Sequence, residues 1–312
     1  MEKIHHNYVN VRGLKLHYAE IGTGPVVVFL HGFPEIWYSW RHQMIAVAEA
    51  GFRAIAPDFR GYGLSELPTE PEKATFKDLV DDLHDMLDSV GIDKIFLVGK
   101  DFGARVLYHF ALVYPERVSA VAALGMPFIL TGPQTFPRDL LPKGFYMLRW
   151  QEPGRAEKDF GQFDIKTVIK NIYILFSGSE LPAAKDDNEE IMDLVDPSTP
   201  LPTWFTEDDL ANYASLYENS GFQLALQVPY RAWLEDYGVE DLKIKVPCLL
   251  VMGEKDYALK FGALEQYITS GMVKEYVPDL ETIFLPEGSH FVQEQFPDKV
   301  NQLIITFLNK LK

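Results

Sequence analysis

The chain has 312 residues, of which 47% are hydrophobic and 24% charged, ordinary values for a globular protein with a substantial core. Its formal net charge of −16 argues against nucleic acid or an anionic membrane as a partner, because both bind basic surfaces. The single cysteine, Cys248, excludes an internal disulfide, and the apolar run around it predicts a buried strand residue.

The N-terminal segment carries no apolar core of a secretory signal, and no apolar stretch reaches the ~18 residues needed to cross a bilayer. We therefore expect a reduced, soluble, cytoplasmic protein with no membrane insertion. His5 and His6 are interpreted as part of an N-terminal tail.

Short apolar runs typical of β-strands recur through residues 1–125, and helix-like segments separate them from the third run onward. The runs read LKLHYAEI, VVVFLHG, RAIAPD, KIFLVGK and VSAVAALGM. Residues 76–91 carry apolar side chains at helical spacing and end at Gly91. Strands that alternate with helices predict an α/β fold with a mostly parallel central sheet flanked by helices.

This rhythm stops after Met126. The following segment is helix-like and loop-like, rich in proline, and contains no convincing buried strand. Strand-like runs return in VPCLLVMGEKD and ETIFLPEG, and DKVNQLIITFLNKL predicts a final helix. We predict a core formed by residues 1–127 and 244–312, interrupted by a helical cap at 128–243.

The stretch IFLVGKDFGAR places Asp101 between Gly99 and Gly103, where a predicted strand passes into a helix. Asp101 is either a turn residue or a nucleophile held on a sharp corner. Taken alone, a Gly-x-Asp-x-Gly pattern favours the ordinary turn, because it occurs often by chance.

Two later strand ends change that balance. Asp256 follows the run CLLVMGEK, and His290 follows TIFLPEGS. His290 is the only one of the eight histidines in a strand-end loop of the C-terminal segment. Nucleophile, acid and histidine, each after a strand, predict a catalytic triad of Asp101, Asp256 and His290. Glu254 is an alternative acid, although it lies close to the strand.

These residues, together with HGFPEIWYSWRHQM, DFRGYGLSE and GSHFVQEQFP, resemble the epoxide hydrolases of the α/β-hydrolase superfamily. The pattern is most similar to the plant soluble epoxide hydrolases, and the resemblance covers nearly the whole chain. It implies an α/β-hydrolase fold with an inserted helical cap domain. The residue before the nucleophile is usually histidine or glutamine in this family, and the one after it is usually tryptophan. Lys100 and Phe102 depart from that pattern.

The resemblance also implies roles for four further residues. The backbone N–H groups of Phe33 and Phe102 would form an oxyanion hole. Tyr146, in YMLRWQEPG, and Tyr230, in SGFQLALQVPYRAW, would be the two cap tyrosines that act as acids on the epoxide oxygen. Tyr230 matches less closely, because a proline precedes it and the spacing is one residue longer.

The implied reaction converts an epoxide to a vicinal diol. Asp101 would form a covalent alkyl ester, and water activated by His290 and Asp256 would hydrolyse it. No cofactor and no metal is expected. Aromatic and apolar cap residues, among them Phe145, Trp150 and Leu226, predict a pocket for an apolar epoxide of fatty-acid or aryl type. Substrate and water are thus the expected small-molecule partners, and the chain is expected to be a monomer or homodimer.

Three alternatives keep the same fold. A haloalkane dehalogenase needs a side-chain donor for the halide, which Phe33 and Phe102 lack. A haloacetate dehalogenase needs arginines for the substrate carboxylate, and Arg105 stands where one of them would. The third is a non-catalytic ligand receptor on a hydrolase fold.

Overall fold

The computed structural model describes residues 3–132 and 141–312. Its strands are β1 (His5–Val11), β2 (Leu14–Gly22), β3 (Val26–Leu30), β4 (Arg53–Pro57), β5 (Ile95–Lys100), β6 (Val118–Leu124), β7 (Cys248–Gly253) and β8 (Leu280–Leu285). They form one sheet in the order β1-β2-β4-β3-β5-β6-β7-β8. β2 is antiparallel to β1 and to β4, and the other neighbours are parallel. The predicted mostly parallel α/β sheet is confirmed.

Helices precede and follow these strands along the chain. They are α1 (Arg41–Glu49), α2 (Phe76–Ser89), α3 (Phe102–Val113), α4 (Tyr146–Trp150), α5 (Arg155–Phe160), α6 (Ile165–Ser177), α7 (Glu207–Ser220), α8 (Gln223–Leu226), α9 (Leu264–Thr269), α10 (Val292–Gln295) and α11 (Pro297–Asn309). None of the helices in the described ranges combines the length and apolarity needed to cross a bilayer.

The interior strands are apolar because both of their faces are covered. Every residue of β5 and β7 is buried, which removes the alternation expected of a half-exposed strand. The helix predicted at 76–91 is observed as α2, where a capping box between Thr75 and Asp78 fixes its start. Gly91 follows it with φ +68°, a left-handed conformation that suits glycine.

The assignment of His5 and His6 to a tail is wrong. Both belong to β1, which pairs with β2 from His5 opposite Glu20 to Val11 opposite Leu14. β1 is the edge strand of the sheet and most of its side chains are exposed or half-buried. It therefore lacks the apolar run that marks the interior strands in the sequence.

Helices α4 to α8 lie between β6 and β7 in the chain, and no strand of the sheet falls in the described part of that segment. Buried polar contacts fasten these helices to the core. Arg41 lies 2.9 Å from Asp209 of α7 and 2.6 Å from Glu294 of α10. The limits of the cap at residues 128 and 243 stay a prediction.

Candidate active site

Loops from four parallel strands meet at one edge of the sheet. Phe33, Asp101, Asp256 and His290 follow the carboxyl ends of β3, β5, β7 and β8. In a parallel sheet these ends lie on the same side, so residues far apart in sequence converge there. Phe145, Tyr146 and Met147 of the inserted segment line one cavity together with Asp101 and His290.

Asp101 occupies a strained corner between β5 and α3. Its backbone has φ 53° and ψ −126°, a conformation that residues with side chains rarely adopt. A Cβ at Gly103 would lie 2.2 Å from the carbonyl oxygen of Leu30, and one at Gly99 would lie 2.7 Å from that of Gly103. Both positions therefore require glycine, which explains the Gly-x-Asp-x-Gly spacing physically.

His290 lies between two carboxylates. Its Nδ1 is 3.0 and 3.1 Å from the two carboxylate oxygens of Asp256, and its Nε2 is 3.5 Å from Oδ2 of Asp101. All three side chains are buried. Nδ1–H donates to Asp256, which orients the ring and turns Nε2 toward Asp101. Glu254, the alternative acid, is exposed.

The charges of this cluster set its protonation. Burial raises the pKa of Asp101, but the hydrogen bond from His290 and the charge of Lys100 outweigh that effect and hold the pKa below its usual value. Burial lowers the pKa of His290, and the Asp256 carboxylate outweighs it, raising the pKa to about 8. Asp101 is therefore an ionised carboxylate at neutral pH, as a nucleophile must be.

Backbone donors surround the Asp101 carboxylate. The N–H of Phe33 donates to Oδ1 at 3.2 Å, and the N–H of Phe102 helps to lower the pKa of this carboxylate. A Cβ at Gly32 would lie 2.6 Å from Oδ1, so glycine lets the loop after β3 approach this closely. Two converging N–H groups can hold negative charge that develops on an oxygen of Asp101.

The rings of the two cap tyrosines pack against each other edge to face, and the charge of Asp101 acts on both phenols. Tyr146 begins α4, and Tyr230 lies in a π-helical turn at Gln227–Arg231; their ring centroids are 6.0 Å apart. The ring of Tyr230 also lies 5.8 Å from that of Phe33 and 5.4 Å from that of Phe102. Burial raises the pKa of both phenols, so both are protonated at neutral pH and can donate.

Their hydroxyl groups differ in surroundings. The Tyr146 hydroxyl is 3.0 Å from that of Tyr257. The Tyr230 hydroxyl is buried and has no hydrogen-bond partner among the residues that the structure describes. An unpartnered buried hydroxyl is costly, and in an active site it indicates a donor held ready for a ligand.

A cavity of about 500 Å³ opens from Asp101 and His290 to the surface. It passes Phe145, Tyr146 and Tyr257 and reaches the exposed side chains of Met272 and Glu275. Most of its lining is aromatic or aliphatic, and no lysine or arginine is among the described residues that line it. The cavity therefore suits a neutral apolar molecule.

Of the three pocket residues expected from composition, Phe145 lines this cavity, whereas Trp150 and Leu226 are buried away from it. The ring centroid of Trp150 lies 5.0 Å from that of Tyr146 and 5.1 Å from that of Tyr230, so Trp150 packs against both cap tyrosines. Leu226 ends α8, in the turn before Tyr230.

Sequence reasoning assigned no role to Tyr257 or Glu35. Tyr257 follows Asp256 directly and contacts Tyr146. Glu35 belongs to the HGFPEIWYSWRHQM motif, is fully buried, and accepts hydrogen bonds from the N–H of Gly32 and the side chain of Gln293. Burial raises its pKa to about 7. Tyr257 follows the predicted triad acid, and Glu35 lies inside a family motif; these positions are the signals by which the sequence could have identified them.

Arg105 has a structural role. Its guanidinium is buried, donates to the carbonyl oxygens of Trp233 and Glu235, and lies 3.9 Å from the centroid of the Phe76 ring. It joins α3 to the end of the cap segment and does not line the cavity. Arg105, the residue that supported the haloacetate dehalogenase alternative, is therefore not placed to bind a substrate carboxylate in this cavity.

Comparison with known proteins agrees with this geometry. The family model of the α/β-hydrolase fold matches residues 25–297. Epoxide hydrolase 2 of Siraitia grosvenorii is 37% identical over 319 residues, covering 99% of this chain and 100% of that protein. Bifunctional epoxide hydrolase 2 of Sus scrofa is 32% identical, covering 97% of this chain and 55% of the larger protein.

Solved structures give the same result. An epoxide hydrolase from Vigna radiata superposes with a TM-score of 0.92 at 37% identity, covering 99% of each chain. A laboratory-evolved variant of a potato epoxide hydrolase superposes with a TM-score of 0.90 at 33% identity, covering 99% of this chain and all of that one. These relatives confirm the resemblance seen in the motifs and favour an epoxide hydrolase over a dehalogenase or a receptor. The chain belongs to the epoxide hydrolases of the α/β-hydrolase fold family.

Proposed function

We propose that this epoxide hydrolase works through a covalent ester on Asp101, with Tyr146 and Tyr230 as acids and His290–Asp256 as the base pair. The observation that carries the proposal is the meeting, at one cavity, of an ionised carboxylate, an oriented imidazole and the phenol of Tyr146. The ring of Tyr230 packs against Tyr146 from outside the lining of that cavity. Each supplies one requirement of epoxide opening.

The first step forms the ester. A carboxylate oxygen of Asp101 attacks an epoxide carbon, forming one C–O bond while the C–O bond of the ring breaks. The ring oxygen takes a proton from a cap phenol, since the alkoxide that forms is far more basic than a phenolate. Attack and protonation come from opposite sides, because Asp101 lies on the sheet edge and Tyr146 and Tyr230 lie in the cap.

The second step hydrolyses the ester. Nε2 of His290 takes a proton from water, whose oxygen attacks the carbonyl carbon of the Asp101 ester. The tetrahedral oxyanion is stabilised by the N–H groups of Phe33 and Phe102. Collapse breaks the bond to the diol oxygen, which receives the proton from His290. The second water proton, left on the Asp101 carboxyl group, passes to the phenolate formed in the first step, and this restores both the Asp101 carboxylate and the tyrosine.

We infer an apolar, uncharged epoxide as the substrate. The cavity has room for a chain or an aryl group, and its described lining offers a carboxylate at the mouth, Glu275, with no cationic partner for an anionic substrate. Competition between an epoxidised fatty acid and its methyl ester tests this inference. The ester should have the higher kcat/KM, and a strong preference for the free acid would refute it.

The His290→Gln variant tests the mechanism. Because its base is missing, the ester on Asp101 should form but persist, adding the mass of one epoxide to the intact protein. Peptide mapping should place the adduct on the peptide that contains Asp101, and the double variant with Asp101→Asn should show no adduct. If a reactive aryl epoxide leaves no adduct on a folded His290→Gln variant, the assigned roles are wrong.

A further inference from the structure

Lys100 carries an ammonium group inside the active site. It is the last residue of β5, its side chain is fully buried, and Nζ lies 2.9 Å from Nε2 of His290. The Phe291 ring lies 5.6 Å from Nζ, and a Cβ at Gly125 would come within 3.0 Å of it. Within the described ranges, Nε2 of His290 is the hydrogen-bond partner of this ammonium, and no carboxylate forms an ion pair with it.

This contact selects one tautomer of the unprotonated imidazole, the form of His290 that acts as a base. An ammonium has donors and no acceptor, so a hydrogen bond between Lys100 and Nε2 requires a lone pair on Nε2. The ring proton must then be on Nδ1, where the Asp256 carboxylate accepts it. Lys100 and Asp256 therefore select the same neutral tautomer from opposite sides of the ring.

The charges that face His290 change during the reaction. Asp256 contacts it from the loop after β7, Asp101 and Lys100 from the end of β5, and Glu35 belongs to the same buried cluster. The Asp101 carboxylate favours an imidazolium, whereas the Lys100 ammonium opposes it. Ester formation removes the charge of Asp101 and leaves that of Lys100, so the balance moves toward the neutral base when hydrolysis begins.

On the basis of the ester mechanism proposed above, we propose that Lys100 is a positioning residue for ester hydrolysis, which holds Nε2 of His290 unprotonated and directed at the Asp101 ester. The hydrolytic water then takes the place of the ammonium at Nε2. Lys100 exchanges no proton with the substrate. Its charge and its hydrogen bond act through His290.

Two variants separate charge from hydrogen bonding. Lys100→Met removes both at nearly the same length, and Lys100→Gln removes the charge but keeps a donor. In single-turnover experiments with an aryl epoxide, the acid limb of ester hydrolysis should move up by about one pH unit or more in both variants, a loss of about tenfold on that limb. At high pH the Gln variant should retain more of the wild-type rate than the Met variant. Ester formation should change less than hydrolysis.

A direct titration of His290 by NMR, assigned with His290→Gln, should give a higher pKa in Lys100→Gln than in the wild type. This measurement tests the effect of the Lys100 charge on His290 even if Lys100→Met does not fold. Lys255→Met is the control, because Lys255 is exposed and lies beside Asp256; its pH profile should match that of the wild type. An unmoved acid limb in the Lys100 variants, or an equal shift in the control, would overturn the proposal. Absence of any ester in the wild type and His290→Gln would instead refute the proposed mechanism.

Discussion

Replacing Tyr230 by phenylalanine should slow the enzyme without destabilising it. The Tyr230 hydroxyl is buried and has no hydrogen-bond partner in the described part of the chain, so its removal breaks no bond in the free protein. Leaving a buried hydroxyl unpaired costs about 1–3 kcal/mol. The free energy of unfolding of Tyr230→Phe should therefore stay the same or rise by about 1 kcal/mol.

The effect on catalysis should have the opposite sign. If Tyr230 donates to the epoxide oxygen, its loss removes one of two donors that stabilise the developing alkoxide. Removal of one such donor costs roughly a hundredfold in rate, or about 2.7 kcal/mol in activation free energy. Single-turnover ester formation on Asp101, followed by intact mass, measures this step apart from hydrolysis.

Tyr213→Phe is a matched control. Tyr213 is buried, its hydroxyl donates to the Glu294 carboxylate at 3.1 Å, and its ring packs on Tyr38 and Tyr173. Its loss should reduce the free energy of unfolding by about 1–3 kcal/mol and leave ester formation nearly unchanged. If Tyr230→Phe loses stability and keeps its activity, Tyr230 is a packing residue and does not donate to the epoxide oxygen.

Three further predictions concern the strained corner at Asp101, the contact between the Tyr146 and Tyr257 hydroxyls, and the pH dependence of the two reaction steps. Gly103→Ala should prevent stable folding, since its Cβ would lie 2.2 Å from the carbonyl oxygen of Leu30; a soluble variant with wild-type melting would contradict the packing argument. Tyr257→Phe should slow ester formation less than Tyr146→Phe does, because it removes only the partner of the Tyr146 hydroxyl, and equal losses would assign Tyr257 a direct role. Ester formation should hold its rate as the pH falls through neutrality, because the pKa of Asp101 is held low. Ester hydrolysis should slow as the pH falls and His290 is protonated, at a pH below the pKa of about 8 that His290 has beside the ionised Asp101, because the ester removes that charge. A parallel acid limb in both steps, resolved by rapid-quench kinetics, would show that one shared group controls them.

Local signals in the sequence were enough to predict the sheet and the three strand-end residues. β5, β7 and the glycines around Asp101 owe their identities to burial on both faces and to close backbone approach, which constrain residue type at each position. β1 lacked such a signal, because an exposed edge strand is polar.

Contacts between the cap and the core could not be predicted from local sequence signals. Composition identified aromatic cap residues but not the direction in which each one points. Trp150 and Phe145 were therefore both predicted to line the pocket, although of the two only Phe145 does. The Tyr146–Tyr257 contact joins residues 111 positions apart, and the Lys100–His290 contact joins residues 190 apart. Both depend on how the cap and the last strand are placed over the sheet.

The proposed mechanism requires that the substrate carbon bonds to Asp101 and that water attacks the resulting ester. One turnover in H₂¹⁸O with excess enzyme distinguishes this route from direct attack by water. The first diol released should be largely unlabelled, and ¹⁸O should enter the carboxylate of Asp101, detected by mass spectrometry of its peptide. Label in the first diol, with none in the protein, would mean that water attacks the epoxide itself and would refute the ester mechanism.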